Sequence, residues 1–301
     1  YYALIAGMQT VLSRQSILIR LLAGRWISVV LGLISVWSAY RIGESLWPWD
    51  RRRALLLGVL VSFQPMHTFL TSIVNNGALE IALFSLLLLL TLRMVDRELT
   101  MKRGVQMGLI IGLGLLTRIS FLTALPVVGV LLIRQLSAQR DKRAWGRMVL
   151  PWMVAGGLAA LLAGWWYADK LSGGGRVLVD TFKAGEPTLD LPLVPYLIRY
   201  GWLTIYRNVL RMYWGNFGWL NTPLPDTVTT ALILGTVIAA WSGCWWLVRK
   251  AMDANDGESL GSAFKFAFLG FATLCFVAFY TYLDYRFARR NGGSFHIQGR
   301  Y

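Results

Sequence analysis

The sequence predicts an all-α protein, a polytopic transmembrane helix bundle of about eight spans. Of its 301 residues, 56% are hydrophobic and 15% are charged, whereas a soluble domain has ~45–50% apolar and ~25% charged residues. The apolar residues are concentrated in runs near the ~20 residues that a helix needs to cross a bilayer. Basic residues cluster between alternate runs, as they do in membrane proteins. These three observations together exclude a soluble metabolic enzyme.

The predicted elements begin with a short leading helix over 1–13, which is apolar but too short to cross the membrane. Eight predicted spans follow, at 23–42, 54–73, 77–95, 104–117, 119–134, 148–168, 226–248 and 263–283. The fourth and fifth of these are short. They predict a tight helical hairpin that turns at Arg118.

The distribution of Lys and Arg predicts the orientation of the spans. Four connecting segments hold four, four, five and three basic residues, namely 41–53, 93–103, 134–147 and 249–265. The opposite short connections hold fewer: 74–77 has none, the hairpin has only Arg118, and Arg14 and Arg20 precede the first span. Since cytoplasmic loops carry the excess of positive charge, we expect 169–225 and both chain ends to face outside. The predicted location is therefore the bacterial cytoplasmic (inner) membrane, with a site facing outside.

The net charge of +15 would indicate nucleic-acid binding in a soluble protein. Here most basic residues lie in short loops between spans, so we predict no nucleic-acid partner. With only His67 and His296 and no CxxC spacing at Cys244 or Cys275, the sequence predicts no His- or Cys-based metal site. The chain starts and stops abruptly and lacks a signal-peptide pattern. We therefore expect 1–301 to be a single transmembrane domain from a longer protein.

The one long connection, 169–225, exceeds the usual ~12–15 residues of a structureless loop and is therefore expected to be functional. It contains a helical pattern at 196–213 in which Arg199, Arg207 and Arg211 share one face. This pattern predicts an interfacial amphipathic helix. Two interpretations stay open: the arginines contact lipid phosphates at the surface, or they bind the phosphate of a lipid-linked substrate.

The segment WGNFGWLNTPLP at 214–225 closes this loop. One interpretation is a structural plug with aromatic rings at the headgroup level. The other is a platform for a sugar or lipid, in which Trp214 and Trp219 stack on a sugar face and the Asn216 amide binds its hydroxyls. Asp226, just after the segment, is a candidate cap of the next span.

Two further features lie at predicted outside span ends. The segment 64–80 carries His67, Asn75, Asn76 and Glu80. A lone His is more often a hydrogen-bonded core residue than a ligand, and the two Asn residues could cap the next helix, yet polar groups at membrane depth tend to mark a site. Arg118 is a basic residue on the disfavoured side, where it either snorkels to headgroups or binds phosphate.

Five segments together resemble a family of bacterial polytopic membrane proteins of unknown function that is grouped with GT-C-type glycosyltransferases. The corresponding residues here are Tyr1–Tyr2, Pro65–Met66 with Asn75–Asn76, Gly114–Arg118, Trp214–Trp219 and Gln298–Tyr301. The WGNFGW and QGRY segments are the most specific. The family's Asn-Asn-Asp ends here in Gly77, so its acid is absent, whereas its Lys corresponds to Arg118, which keeps the charge.

The resemblance implies transfer of a sugar from a polyprenyl-phosphate donor to an acceptor on the outer face. It places the catalytic acid in an outside loop upstream of Tyr1, so no catalytic residue is assigned within the chain. The outside carboxylates that could serve as a general base are Glu80, Asp180, Glu186, Asp190 and Asp284. The substrate-binding residues predicted overall are Arg118, Asn75, Asn76, Arg207, Arg211, Trp214, Asn216, Trp219, Gln298, Arg300 and Tyr301, with Arg118 and Arg300 on the donor phosphate.

The expected partners are membrane lipids and the polyprenyl-phosphate sugar, with a divalent metal as an open possibility. Two other functions remain open. A non-enzymatic subunit of a larger membrane complex is favoured by the missing acid at Gly77. A transporter of lipid-linked sugars predicts charged residues deep within the spans, but between 55 and 95 we find Glu80 and Arg93, both near span ends.

Overall fold

The computed structural model describes residues 1–138, 145–172, 191–217, 222–252 and 257–291. Within these ranges the chain is almost entirely helical, which confirms the all-α class. The chain divides into two compact units, Tyr1–Val177 with Phe264–Leu269, and Leu178–Ala263 with Gly270–Tyr301. Each unit is described by itself below.

The first unit contains nine helices and two short irregular turns within its described residues. The helices are α1 (Tyr2–Val11), α2 (Ile17–Leu46), α3 (Arg51–Ser62), α4 (Pro65–Ser72), α5 (Asn76–Arg93), α6 (Met101–Thr117), α7 (Ala124–Ala138), α8 (Trp145–Ala159) and α9 (Trp165–Ser172). A 3₁₀ turn, Ile119–Thr123, joins α6 to α7, and a π-helical turn, Ala160–Gly164, joins α8 to α9. Helix α1 confirms the predicted short leading helix.

Six helices are long and apolar enough to cross a membrane, and the described residues give seven if the bent pair α3 and α4 counts as one span. The six are Ile17–Leu46, Asn76–Arg93, Ile119–Ser137, Met148–Ser172, Asp226–Lys250 and Gly261–Arg289. The predicted count of eight is not confirmed. The difference between seven and eight spans lies in α6, which has 17 residues, fewer than the ~20 that a span needs.

The predicted span at 54–73 is broken in two. Helices α3 and α4 meet at an angle of 60° because Pro65 cannot continue the hydrogen-bond ladder of α3. Pro65 instead occupies the first turn of α4, and the side chain of Gln64 caps that helix by accepting from the backbone N–H of His67. Backbone N–H groups in the first turn of a helix have no partner within that helix. Proline therefore suits this position, because the N–H that it lacks is not needed there.

Helix α6 packs closely against α8 and the π turn through a row of glycines spaced by four. A Cβ at Gly104 would lie 2.4 Å from the Pro151 carbonyl oxygen, and one at Gly108 would lie 2.6 Å from that of Ala155. Gly112 continues the row against Leu162. Small residues at this spacing allow two membrane helices to approach until their backbones touch.

The second unit contains the long connection and the last two long helices. Residues 193–214 are helical throughout and alternate between short α and π turns: Leu193–Tyr196 (α10), Leu197–Gly201, Trp202–Thr204 (α11), Ile205–Leu210 and Arg211–Trp214 (α12). We call 193–214 the loop helix. A two-stranded antiparallel hairpin follows, β1 (Asn216–Phe217) with β2 (Thr222–Pro223). Helix α13 (Asp226–Met252) and helix α14 (Gly257–Asn291), apart from its residues Phe264–Leu269, complete the unit.

The predicted amphipathic character of the loop helix is not confirmed. Its buried positions are Tyr196, Gly201 and Thr204, whereas Ile198 and Trp202 are 78% and 66% exposed. The inward face therefore carries hydroxyl groups, and large apolar side chains lie outside. The inward face is polar because its hydroxyl groups donate hydrogen bonds to a buried carboxylate on α14.

Candidate functional site

The junction between the start of α5 and the end of α6 brings together several of the predicted site residues. Asn75 caps α5, because its side-chain oxygen accepts from the backbone N–H of Gly77 at 2.7 Å. This is the capping role that the sequence allowed for the Asn pair. Arg118 has an extended backbone and separates α6 from the 3₁₀ turn, as expected for a break at this position. We call this region the α5–α6 junction.

Arg118 forms a salt bridge with Glu80 across this junction. The Arg118 Nη1 atom lies 2.9 Å from Glu80 Oε2, and the other carboxylate oxygen accepts a hydrogen bond from the Ser120 hydroxyl. The Glu80 side chain is 8% exposed and that of Arg118 is 24% exposed. The buried carboxylate thus holds in place a guanidinium that is partly exposed.

Asn76 adds an unsatisfied acceptor to the same junction. Its amide nitrogen donates to the Thr117 carbonyl at 3.4 Å, and its amide oxygen is buried without a hydrogen-bond partner among the described residues. Buried polar atoms in native proteins are nearly always paired. This oxygen is therefore a candidate acceptor for a hydroxyl of a bound molecule.

Tyr1 reaches the junction from the leading helix. Its hydroxyl lies 2.8 Å from the Ser28 hydroxyl and also interacts with the backbone of Asn75. Burial is the main reason that the pKa of Tyr1 is raised above its usual range, so this group stays a neutral hydroxyl. Sequence reasoning quoted Tyr1 only through the family resemblance and gave it no role.

The second unit has its own buried polar cluster. Asp284 of α14 is 1% exposed and accepts hydrogen bonds from the Tyr196 hydroxyl at 2.7 Å and from the Thr204 hydroxyl. The rings of Tyr200 and Tyr285 pack against Tyr196. Burial is the main reason that the pKa of Tyr196 is raised above its usual range, and the hydrogen bond to Asp284 raises it further. Asp284 therefore anchors the loop helix to α14.

The three arginines of the loop helix have different surroundings. Arg199 lies over the ring of Tyr200 at 5.4 Å, and Arg211 forms a salt bridge with Asp226, with 2.6 Å between Arg211 Nη2 and Asp226 Oδ1. Arg207 lies within the Ile205–Leu210 π turn, and its side chain falls outside the described part of the molecule. Arg211 and Arg207 remain predicted phosphate ligands.

The WGNFGW segment links the loop helix to α13. The indole N–H of Trp214 donates to the Thr236 hydroxyl at 2.9 Å, and Asn216 begins the hairpin strand. A Cβ at Gly215 would lie 2.8 Å from the tip of the Phe217 ring, so a larger residue there would require that ring to move. The Trp214 contact favours the interpretation of a segment that seats the loop. The Asn216 amide oxygen is buried without a partner in the described ranges, so its predicted ligand role stays open.

Several predicted residues lie outside the described residues: Trp219, Gln298, Arg300 and Tyr301, and the carboxylates Asp180, Glu186 and Asp190. In the described part, no three His, Cys, Asp or Glu side chains come together in a metal-binding group. The divalent metal therefore stays an open possibility. Asp226 is the first residue of α13 rather than its cap.

His67 forms a polar contact within the helices of the first unit. Its Nε2 atom lies 2.6 Å from the Ser35 hydroxyl of α2. This supports the interpretation of His67 as a hydrogen-bonded core residue. Its Nδ1 atom is buried and has no partner within the described ranges.

An apolar cleft of about 320 Å³ lies between α6, α7 and the α8–α9 segment. Large apolar side chains line two of its sides, namely Met107, Ile111 and Leu115 of α6 and Leu125 and Val128 of α7. The wall formed by α8 and the π turn consists mainly of Ala and Gly, with Trp152 and Tyr167 toward its two ends. The sequence does not predict this cleft, since its walls come from three separate helical segments whose packing no local pattern specifies.

Comparison with known proteins gives one family match. The family model described as "Predicted membrane protein (DUF2142)" matches residues 2–301, which is nearly the whole chain. No curated protein and no solved structure matches the chain. The match agrees with the membrane class derived above and carries no activity with it.

Proposed function

We propose that this chain, which belongs to the predicted membrane protein family DUF2142, is a membrane glycosyltransferase of the GT-C type. In this proposal it transfers a sugar from a polyprenyl-phosphate donor to an acceptor on the outer face of the bacterial cytoplasmic membrane. The resemblance of its motifs to that enzyme class, noted from the sequence, is the starting point. The geometry of the α5–α6 junction is the support.

One observation carries the proposal: a fixed, partly exposed cation lies beside an unsatisfied buried acceptor. Arg118 is held by Glu80 at 2.9 Å and is 24% exposed, and Asn76, next to the α5 cap, has an unpaired amide oxygen. Guanidinium groups suit phosphate oxygens because their N–H donors form a planar fork. An amide oxygen accepts from a sugar hydroxyl. A sugar linked to phosphate supplies both partners.

The proposed reaction breaks the bond between the sugar anomeric carbon and the phosphate oxygen, and forms a bond from that carbon to an acceptor oxygen. The acceptor proton passes to a carboxylate, and the polyprenyl phosphate leaves with an additional negative charge. Arg118 stabilises that charge because its position is fixed before the reaction starts.

The described carboxylates are poor choices for the general base. Glu80 pairs with Arg118 and Ser120, and Asp284 accepts from Tyr196 and Thr204. The oxygens of both carboxylates are thus already engaged by partners within the protein. In the proposal the base is therefore a carboxylate outside the described residues, in the upstream outside loop that the resemblance implies.

The second candidate is a non-enzymatic subunit of a larger membrane complex. The partners of Glu80 and Asp284 favour it, since a buried ion pair and a buried carboxylate can serve structure alone. Under this alternative, the Arg118–Glu80 pair can be replaced by apolar residues of similar size without loss of function.

A transfer assay separates the two candidates. Membranes containing the protein are incubated with polyprenyl-phosphate hexoses and pentoses that carry a radiolabel in the sugar, and the label is followed out of the donor fraction. The proposal predicts transfer by the wild type, strongly reduced transfer by Arg118→Ala, and substantial transfer by Arg118→Lys, which keeps the charge. Equal label distribution in wild-type and Arg118→Ala membranes contradicts the proposal.

A further inference from the structure

Three arginine side chains come together where α5 packs against α2 and α6, at the end of α5 that lies opposite the α5–α6 junction. Arg41 lies in the last two turns of α2, Arg93 is the last residue of α5, and Arg103 lies in the first turn of α6. The positive charges of Arg41 and Arg103 both act on Arg93, so the three guanidinium groups are close in space. We call these three residues the arginine cluster.

The protein supplies few acceptors for the donors of the arginine cluster. Glu44 is a carboxylate whose charge attracts Arg93. Its two oxygens already accept hydrogen bonds, one from the Tyr40 hydroxyl at 2.7 Å and one from Arg41 Nη1 at 2.5 Å. The Arg41 Nε atom is buried and has no hydrogen-bond partner in the described ranges. Within those ranges neither Arg93 nor Arg103 forms a salt bridge, so the cluster carries more positive charge than Glu44 neutralises.

A bound anion would relieve the repulsion within the arginine cluster. Like charges repel each other more strongly where protein and lipid limit the surrounding water than on a fully exposed surface, because they are less screened there. Guanidinium groups bind phosphate oxygens well, since their N–H donors form a planar fork. The cluster therefore offers donors for one phosphate group from three different helices.

We propose that the arginine cluster binds the phosphate of an anionic phospholipid from the leaflet on the predicted cytoplasmic side. Arg41 and Arg93 begin the basic connections 41–53 and 93–103, and Arg103 ends the second of them. All three residues therefore lie where predicted spans meet the headgroup region, at the depth of the lipid phosphates. Basic pockets between helices on this side of a membrane bind anionic headgroups. The excess positive charge of the cluster favours an anionic headgroup over a zwitterionic one.

This site is separate from the proposed donor site at Arg118. Glu80, which holds Arg118, and Arg93 both belong to α5, and they are ~20 Å apart along the helix axis. One phosphate cannot reach both places, so the inference does not depend on the proposed function. A free phosphate ion offers the same oxygens as a lipid headgroup. The lipid is the favoured source because its chains keep the phosphate at the membrane boundary, where the cluster lies.

The test measures the retention of lipids by native mass spectrometry. The full chain is reconstituted in lipid nanodiscs that contain equal amounts of phosphatidylglycerol and phosphatidylcholine, and the lipids that stay bound after release from the nanodisc are counted. Phosphatidylglycerol is the anionic probe, and phosphatidylcholine is the zwitterionic comparison with the same phosphate. The wild type is expected to retain phosphatidylglycerol in severalfold excess over phosphatidylcholine.

The matched double variants each remove two positive charges from the same connection. Arg93→Gln with Arg103→Gln changes the arginine cluster, whereas Arg97→Gln with Lys102→Gln changes two exposed residues outside it. Because both variants leave the same charge in the connection, the orientation of the spans does not distinguish them. The cluster variant should lose retained phosphatidylglycerol severalfold, and the control variant should stay near wild type. Arg93→Lys with Arg103→Lys keeps the charge but not the planar fork, and its retention should lie between the two.

Two results would overturn the inference. Equal retention by the two glutamine double variants would show that the arginine cluster is not a lipid site. Displacement of phosphatidylglycerol from the wild type by millimolar inorganic phosphate would assign the cluster to a soluble phosphate instead of a lipid. A selective loss in the cluster variant, with wild-type retention that inorganic phosphate leaves unchanged, supports the site. The melting temperature of each variant is measured in parallel, and if the glutamine pair in the cluster folds poorly, the lysine pair takes its place in the same comparison.

Discussion

Glu80 of α5 and Arg118 after α6 form a salt bridge across 38 positions of sequence, with 2.9 Å between Glu80 Oε2 and Arg118 Nη1. The carboxylate is buried and the guanidinium is partly exposed. An ion pair that only stabilises the structure does not need an exposed side chain, whereas a side chain that binds a ligand must be exposed to it. This asymmetry is the reason for treating Arg118 as the ligand-binding residue and Glu80 as the residue that positions it.

A double-mutant cycle on Glu80 and Arg118 measures their coupling. Removing one partner of a buried pair typically costs ~3–5 kcal/mol, and the exposure of Arg118 places the expected cost at the lower end of that range. Glu80→Gln and Arg118→Met should each lower the melting temperature in detergent, and the double variant should lower it by less than the sum. Additive changes would show that the two side chains do not stabilise each other.

The anchor between the loop helix and α14 predicts a local change in dynamics. Asp284→Ala leaves the hydroxyls of Tyr196 and Thr204 buried without their acceptor, which costs ~1–3 kcal/mol for each unsatisfied group. Amide hydrogen exchange of 193–204 should therefore be faster in Asp284→Ala, and Asp284→Asn should have a smaller effect because it keeps an acceptor.

Asp226→Asn is the matched control for this prediction. The Asp226 side chain is 84% exposed and pairs with Arg211, and an exposed pair contributes only ~0–1 kcal/mol. Exchange over 193–204 should stay close to wild type in this variant. A comparable acceleration in Asp226→Asn, or none in Asp284→Ala, would refute the anchor.

The packing of α6 on α8 predicts a strong effect at Gly108. Its Cβ would lie 2.6 Å from the Ala155 carbonyl oxygen, so Gly108→Leu must push two backbones apart. Gly157→Leu, with no atom within 4 Å of its Cβ, is the control of equal size. The yield of monodisperse protein by size-exclusion chromatography should fall for Gly108→Leu alone. Equal yields for the two variants would contradict the close contact.

The charge distribution predicts the orientation, which single-cysteine labelling can test. In a background with Cys244→Ser and Cys275→Ser, Arg52→Cys lies in a predicted cytoplasmic segment and Ser172→Cys in the predicted outside loop. A membrane-impermeant maleimide applied to intact cells should label Ser172→Cys and spare Arg52→Cys. Both positions are exposed at helix ends, so accessibility does not favour either. The reverse labelling pattern would invert the orientation and place Arg118 inside.

The sequence predicts the helical class and many of the element positions because the apolar runs are long. It also singles out Arg118, because this is the one basic residue in the short predicted outside connection between the fourth and fifth spans. The sequence does not predict the break before Pro65, since membrane helices tolerate proline. The structure shows the break through the Gln64 cap and the 60° bend.

The partners of the polar residues could not be predicted from the sequence. Asp284 is 88 positions from Tyr196 and 80 from Thr204, and no local pattern links residues so far apart. The 3.6-residue periodicity of the loop helix predicts an amphipathic helix. The structure does not confirm this character, because π turns change the hydrogen-bond spacing and the inward face carries hydroxyl groups that donate to the buried Asp284 carboxylate.

The most direct test of the account is the binding of a polyprenyl phosphate to the wild type, Arg118→Ala and Arg118→Lys, measured by native mass spectrometry from lipid nanodiscs. The phosphate-free polyprenol serves as the control ligand. We expect Arg118→Ala to lose affinity for the polyprenyl phosphate by about tenfold or more, which corresponds to at least ~1.4 kcal/mol, and Arg118→Lys to stay near wild type. Binding of the polyprenol should be the same in all three proteins. Equal affinity of wild type and Arg118→Ala for the polyprenyl phosphate would show that Arg118 does not bind the donor phosphate.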